Sequence, residues 1–167
     1  MLRPLQLSDL EPLHELWTDE PVRRLLWDGE KIPLARTREI IETSSRLSDE
    51  RGFGIWSLRR HDDDRLVGFA GYWHFRDAPE LELLFGVAAD CWGRGFAPEA
   101  AREIIRYGFD TLGFDPIVAS TDAANAASRR AIEKLGMRFD RRAVVDGLDT
   151  FFYSLKKEDW RAAGHDR

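Results

Sequence analysis

Two features of this chain combine residue types at a spacing that could do chemistry. The first is the run Cys91-Trp92-Gly93-Arg94-Gly95-Phe96-Ala97, which strips side chains from the backbone just ahead of Pro98 and Glu99. Proline and an acid in a first turn mark the start of a helix. A helix N-terminus leaves several backbone N–H groups unpaired, and with the helix dipole they suit an anionic group such as a phosphate. Arg94, between the two glycines, can add a charge-assisted hydrogen bond. Two familiar phosphate loops do not fit. A Walker A loop needs Gly-Lys-Ser/Thr after four spacers, which is absent here. The dinucleotide pattern G-x-G-x-x-G begins at Gly93 and Gly95 but meets Pro98 where its third glycine belongs. A pyrophosphate-bearing ligand of another kind is one reading of the loop. Glycines that only serve a turn are the other, and the loop by itself does not separate them. The second feature is Glu82, a carboxylate set in the apolar run 81–88. Burial in such a strand desolvates a carboxylate and suits it to act as a general base. The competing reading is a strand-edge or ion-paired carboxylate, exposed in company with Glu80.

The remaining reactive side chains offer less. His74, directly after Trp73, is an alternative base. His14, His61 and His165 are scattered without ligand spacing, so no metal site is expected. Cys91 is the single cysteine, which excludes an internal disulfide and a cysteine metal site. It reads as a small buried thiol rather than a nucleophile.

These residues need a strand and a helix to hold them. The run 81–88 is nearly all apolar, as in a strand covered on both faces. After the loop, Ala101, Ile104, Ile105, Gly108 and Phe109 recur at helical spacing. Upstream, residues 1–5 read as a strand and Ser8-Asp9-Leu10 as an N-cap, followed by Leu10, Leu13, Leu16 and Trp17 on one helical face. A short helical piece over 22–27 and a turn over 28–33 lead to a helix over 34–47, capped near Thr37. Strands over 53–60 and 66–75 flank the polar turn His61-Asp62-Asp63-Asp64, and 76–79 form a further turn. Downstream come a strand over 117–121, a helix over 125–135 stopped by Gly136, and a hairpin of 137–145 and 148–155 across Asp146-Gly147. Alternation of strand and helix in the middle with hairpins at both ends indicates an α/β mixed sheet.

Composition bounds the alternatives. A chain of 167 residues with 43% hydrophobic and 33% charged residues is expected to form one globular domain over 1–167. A net charge of −5 argues against a nucleic-acid partner and is in keeping with a cationic one. No stretch approaches twenty apolar residues and no apolar leader is visible, so no membrane association is expected and a cytoplasmic location is.

Trp92-Gly93-Arg94-Gly95-Phe96-Ala97, with Pro98-Glu99-Ala100 behind it, resembles the acetyl-CoA pyrophosphate loop of the GNAT N-acetyltransferases. That family's pattern is Gln/Arg-x-x-Gly-x-Gly/Ala. Trp92 stands at its first position, and Gly95 and Ala97 are its small residues. The W-G-x-G-x-A form is typical of the branch that includes the ribosomal-protein alanine N-acetyltransferases. A second segment agrees: Asn125-Ala126-Ala127-Ser128, then Glu133-Lys134-Leu135-Gly136-Met137, resembles that branch's N-x-x-S…E-K-L-G-F.

The resemblance implies an α/β (α+β) fold. A mixed, mostly antiparallel sheet of about six to seven strands is flanked by about four helices, and two central strands splay to admit the pantetheine arm. It implies that the backbone of Phe85, Gly86 and Val87 pairs with the pantetheine and holds the thioester carbonyl. Trp92, Gly93, Arg94, Gly95, Phe96, Ala97, Asn125 and Ser128 would then contact acetyl-CoA, and Glu82 would be the general base. A tyrosine seven residues after the motif asparagine is the family's common acid, and here that position holds Ile132. Ser128 is the best substitute, although a helical serine often just bonds the preceding turn; Asn125 also has an ordinary N-cap reading. Trp27, Trp56 and Trp73, with His74, would help to form the acceptor pocket unless they are core. The implied activity is acetyl transfer to a primary amine, on a protein N-terminus or a small molecule, by direct attack and without a metal. The alternative is a non-catalytic acyl-CoA-binding module. Dimers are frequent in this family, so a homodimer is also in view.

Overall fold

The computed structural model describes residues 1–27, 29–75 and 80–164. Asp28, the turn expected over 76–79 and His165 lie outside the described residues. Seven strands form among the described residues: β1 (Leu2–Pro4), β2 (Ile55–Arg59), β3 (Leu66–Trp73), β4 (Glu82–Val87), β5 (Ile117–Asp122), β6 (Arg138–Val145) and β7 (Leu148–Leu155). Their hydrogen-bonded order is β1-β2-β3-β4-β5-β7-β6. β1 with β2, β2 with β3, β5 with β7 and β6 with β7 are antiparallel, whereas β4 and β5 run parallel with Glu82 opposite Val118. Among the described residues six helices accompany them: α1 (Leu10–Thr18), α2 (Glu20–Leu26), α3 (Leu34–Arg51), α4 (Phe96–Asp110), α5 (Ala126–Lys134) and α6 (Lys157–Ala162). The mixed, mostly antiparallel sheet matches expectation. The helix count exceeds it, because the six residues of α6 are too few to show a periodic pattern.

The chain divides into two compact units, one of Met1–Tyr72 with Leu84–Ala100 and one of Trp73–Leu83 with Ala101–Arg167. In the first unit, α3 buries Thr37, Ile40, Ile41 and Ser44, a stripe at helical spacing. It stops at Gly52, whose left-handed backbone (φ +77°) lets its N–H return to Ser48. The Ser44 hydroxyl accepts the Ile55 N–H at 2.7 Å and so fastens α3 to β2. Thr37 does not cap the helix. It lies buried in the first turn, its hydroxyl bonded to His14 Nδ1 at 2.9 Å, because a partner across the helix pair outcompetes its own backbone.

The cap expected at Ser8-Asp9-Leu10 also takes another form. Asp9 is wholly buried, accepts the Gln6 N–H at 3.0 Å across a single 3₁₀ turn (Leu7–Asp9), and is paired with both Arg3 and Arg59. Burial pushes its proton affinity up, but the bonds from Arg59, Gln6 and Arg3 outweigh that and hold the carboxyl below the usual carboxylate value.

In the second unit, α4 buries Ala101, Ile104, Ile105 and Phe109, and the Phe109 ring lies 6.2 Å from that of Trp160 on α6. β5 pairs in register with β7 from Ile117–Leu155 to Asp122–Thr150, and β6 closes the edge as a hairpin partner of β7.

The Asp9 cluster yields a prediction. Asp9→Ala removes the buried carboxylate that Arg3 and Arg59 share, leaving Arg59 only the exposed Asp64 as counter-charge, and is expected to destabilise the fold by about 3 kcal/mol in denaturant titration. Because the folded-state value of Asp9 is depressed, its contribution is complete above the unfolded carboxylate pKa of about 3.9 and is lost as pH falls through the folded value. The wild type's extra stability over the variant should therefore shrink on acidification.

Candidate active site

The loop after β4 is built in three short steps. Ala89–Cys91 form one 3₁₀ turn, Trp92 returns to extended backbone, and α4 begins at Phe96. Gly93 and Gly95 lie at φ +73° and +86°, the left-handed region that side chains disfavour. A Cβ at either would meet no heavy atom within 4 Å, so conformation rather than crowding calls for glycine, and the space above the loop is open. The Glu99 N–H makes a helical bond to the Gly95 carbonyl at 3.1 Å. The N–H groups of Phe96 and Ala97 precede it in the first turn, and Pro98 has none to orphan. That arrangement fits the pyrophosphate of a coenzyme A derivative. Arg94 and Trp92 are both exposed. The Trp92 indole N–H donates to the Val87 carbonyl at 3.0 Å, and so ties the loop to the end of the strand it follows.

Along β4 in the same unit, Phe85 and Gly86 are half-buried and Val87 is buried. Gly86 has a close-approach reason to be glycine: an added Cβ would fall 2.7 Å from Cζ of Phe69 on β3. The Phe69 ring meets Trp17 edge to face at 5.7 Å, and Trp17 meets Trp27 at 5.6 Å. The indole N–H groups of Trp17 and Trp27 are buried and have no hydrogen-bond partner among the described residues. The structure thus links Trp27 to Gly86 through Trp17, which the sequence marks only as a helix-face residue, and Phe69, which it does not single out. Trp56 stands on β2 opposite Ala70, half-buried.

In the second unit, Glu82 is 2% exposed while Glu80 is exposed, so Glu82 is not the surface carboxylate of the competing reading. The Ser120 hydroxyl on β5 donates to Glu82 Oε2. No pattern in the sequence marked Ser120, because its partner is fixed only by the β4–β5 register. Asn125 is the N-cap of α5: its Oδ1 accepts the Ser128 N–H at 3.0 Å. The Ser128 hydroxyl makes no hydrogen bond among the described residues, so it is not spent on the preceding turn. Ile132 is buried in the core at 2% exposure. Trp73 and His74 are half-buried, and His74 Nδ1 lies 3.2 Å from the Glu80 carbonyl.

The electrostatics around the loop follow from two neighbours. Arg65, 2.8 Å from Asp90, holds that carboxyl below its usual value. Burial pushes the Cys91 thiol up, and the Asp90 side chain beside it adds to the effect.

Against known proteins, the family model of the acetyltransferase (GNAT) domain matches residues 1–138. The uncharacterized N-acetyltransferase p20 of Bacillus licheniformis is similar at 25% identity over 166 residues, covering 95% of this chain and 93% of that protein. The solved structure of ribosomal-protein-alanine N-acetyltransferase from Brucella melitensis shares the fold with a TM-score of 0.77 at 23% identity, covering 93% of this chain and 99% of that one. YncA of Salmonella typhimurium, solved with its cofactor acetyl-CoA, gives a TM-score of 0.75 at 18% identity, covering 93% and 92%.

Cys91 is expected to be chemically quiet. A thiol-exchange reagent should label it slowly in the folded protein and rapidly in denaturant. Fast stoichiometric labelling of the native protein would contradict the packing described here.

Proposed function

This chain belongs to the GNAT acetyltransferase family, a family of acyltransferases, and on that premise we propose that it is an acetyl-CoA-dependent N-acetyltransferase. It moves an acetyl group to a primary amine, on a protein N-terminus or a small molecule, by direct attack. One observation carries the reading: β4 opens on a buried carboxylate and is followed by a left-handed two-glycine loop at a helix start. The first can take a proton, and the second can hold an anion.

The roles divide accordingly. Acetyl-CoA, when bound, supplies the thioester from which the acetyl group is taken. The N–H groups of Gly93 to Ala97 and the Arg94 guanidinium hold the pyrophosphate, and Trp92 fixes that loop to the strand end. The backbone of Phe85, Gly86 and Val87 aligns the donor and polarises its carbonyl, which is catalysis by placement and charge stabilisation. Glu82 accepts the proton that the acceptor ammonium must lose before its nitrogen can attack. The hydroxyl of Ser128, whose backbone N–H is held by the Asn125 cap at the first turn of α5, gives a proton to the departing sulfur. Trp27, Trp73 and His74 are assigned to acceptor recognition.

The match over residues 1–138 takes in most of both compact units, which supports reading 1–167 as one domain. The motif forms and the fold shared with the Brucella enzyme support the ribosomal-protein branch, whose name is not a guide to the acceptor here. Among the described residues no helix is long and apolar enough to cross a membrane. We place the protein in the cytoplasm, as a monomer or homodimer. A second reading, a non-catalytic acyl-CoA-binding module, has one observation on its side: Ile132 occupies the position of the family's usual acid and is buried in the core.

Release of coenzyme A in the presence of an amine panel separates the two. Glu82→Gln is expected to lower turnover by about 10²- to 10⁴-fold while leaving acetyl-CoA binding intact. Slow release that is the same in wild type and variant would favour the binding module.

A further inference from the structure

The buried carboxylate of Glu82 is oriented by a neighbour that the family motifs do not include. β4 and β5 run parallel with Glu82 opposite Val118. Side chains two apart along a strand share a face, so Ser120 stands on the same face as Val118, one diagonal step from Glu82. Its hydroxyl donates to Glu82 Oε2. On its other side Ser120 is paired in register with Phe152 of β7, a buried ring whose face carries the Arg141 guanidinium at 3.7 Å. Ser120 therefore sits on a strand held by regular pairing from Ile117 to Asp122, which fixes its backbone and leaves its oxygen only the rotation about one side-chain bond.

We propose that Ser120 is a positioning residue for the acetyl-transfer reaction: it holds the Glu82 carboxylate in the one orientation from which it can take the acceptor's proton. The proposal rests on the reading of Glu82 as the general base. A carboxyl group attached to the strand by a flexible side chain samples several rotamers, and proton transfer requires one of them. A hydrogen bond to Oε2 from a rigid strand removes that freedom before the acceptor arrives. A hydroxyl is suited to the task, since it directs the carboxylate without placing a full positive charge beside it. The plain alternative is that Ser120 only satisfies a polar group that folding has buried, in which case its loss acts on stability and not through Glu82.

The test is a double-mutant cycle on coenzyme A release, with the melting temperature of each variant measured alongside. Ser120→Ala is expected to lower kcat by about ten- to a hundredfold with the KM for acetyl-CoA unchanged. Ser120→Thr, which keeps the hydroxyl, is expected to recover most of that loss. In a Glu82→Gln background, Ser120→Ala should have no further effect, because the group it positions is already gone. Wild-type kcat in Ser120→Ala while Glu82→Gln is crippled would overturn the positioning role and leave the base reading standing. So would an equal fold loss in both backgrounds. Wild-type kcat in Glu82→Gln would overturn the base reading itself, and the role of Ser120 with it.

Discussion

The left-handed backbone at Gly93 and Gly95 is the constraint on which the rest of the site depends. Two such residues, with Arg94 between them, complete the turn into α4, the last step of the eight residues that separate Val87 from Phe96. An L side chain at either position would carry a strain of about 1–2 kcal/mol even though nothing crowds the site. With the turn in place, the first N–H groups of α4 face outward, and Trp92 can reach back to the Val87 carbonyl. Without it, the helix start and the strand end would lose their fixed relation, and neither the loop nor the end of β4 would be preorganised.

Charge burial is the second organising cost. The fold buries the carboxylates of Asp9 and Glu82, and an unsatisfied buried charge is not tolerated. Asp9 is answered by two guanidinium groups and a backbone N–H, an arrangement that locks β1, β2 and the 3₁₀ turn together. Glu82 receives a neutral hydroxyl from Ser120, which sets its direction. The first is scaffold, and the second lies at the head of the strand that leads to the loop.

Much of this was readable from local sequence, where a residue's conformational preference is enough. The glycine loop, Pro98 and Glu99 at a helix start, Asn125 as a cap and Gly136 after α5 all report on their own few residues, and all took the expected form. The apolar run around Glu82 likewise implied burial. What stayed hidden depends on register or on packing between distant segments. Ser120 meets Glu82 only because β4 and β5 align across 38 positions of sequence separation. Phe69 matters because its ring fills the space that glycine leaves at Gly86. Thr37 and Asp9 resemble caps in isolation, but tertiary partners claimed the first for His14 and drew the second into a buried ion cluster. Helix α6 is too short for any periodicity to announce it.

The measurement that most directly tests the account is the melting temperature of the purified protein titrated with acetyl-CoA, for the wild type and for Gly95→Asp. A ligand that binds the folded state must raise the midpoint by mass action. A saturable rise with acetyl-CoA in the wild type, lost in a Gly95→Asp variant that still melts cooperatively, is the predicted result. A wild-type midpoint that does not move at any acetyl-CoA concentration would contradict the assignment of the loop and the activity built on it.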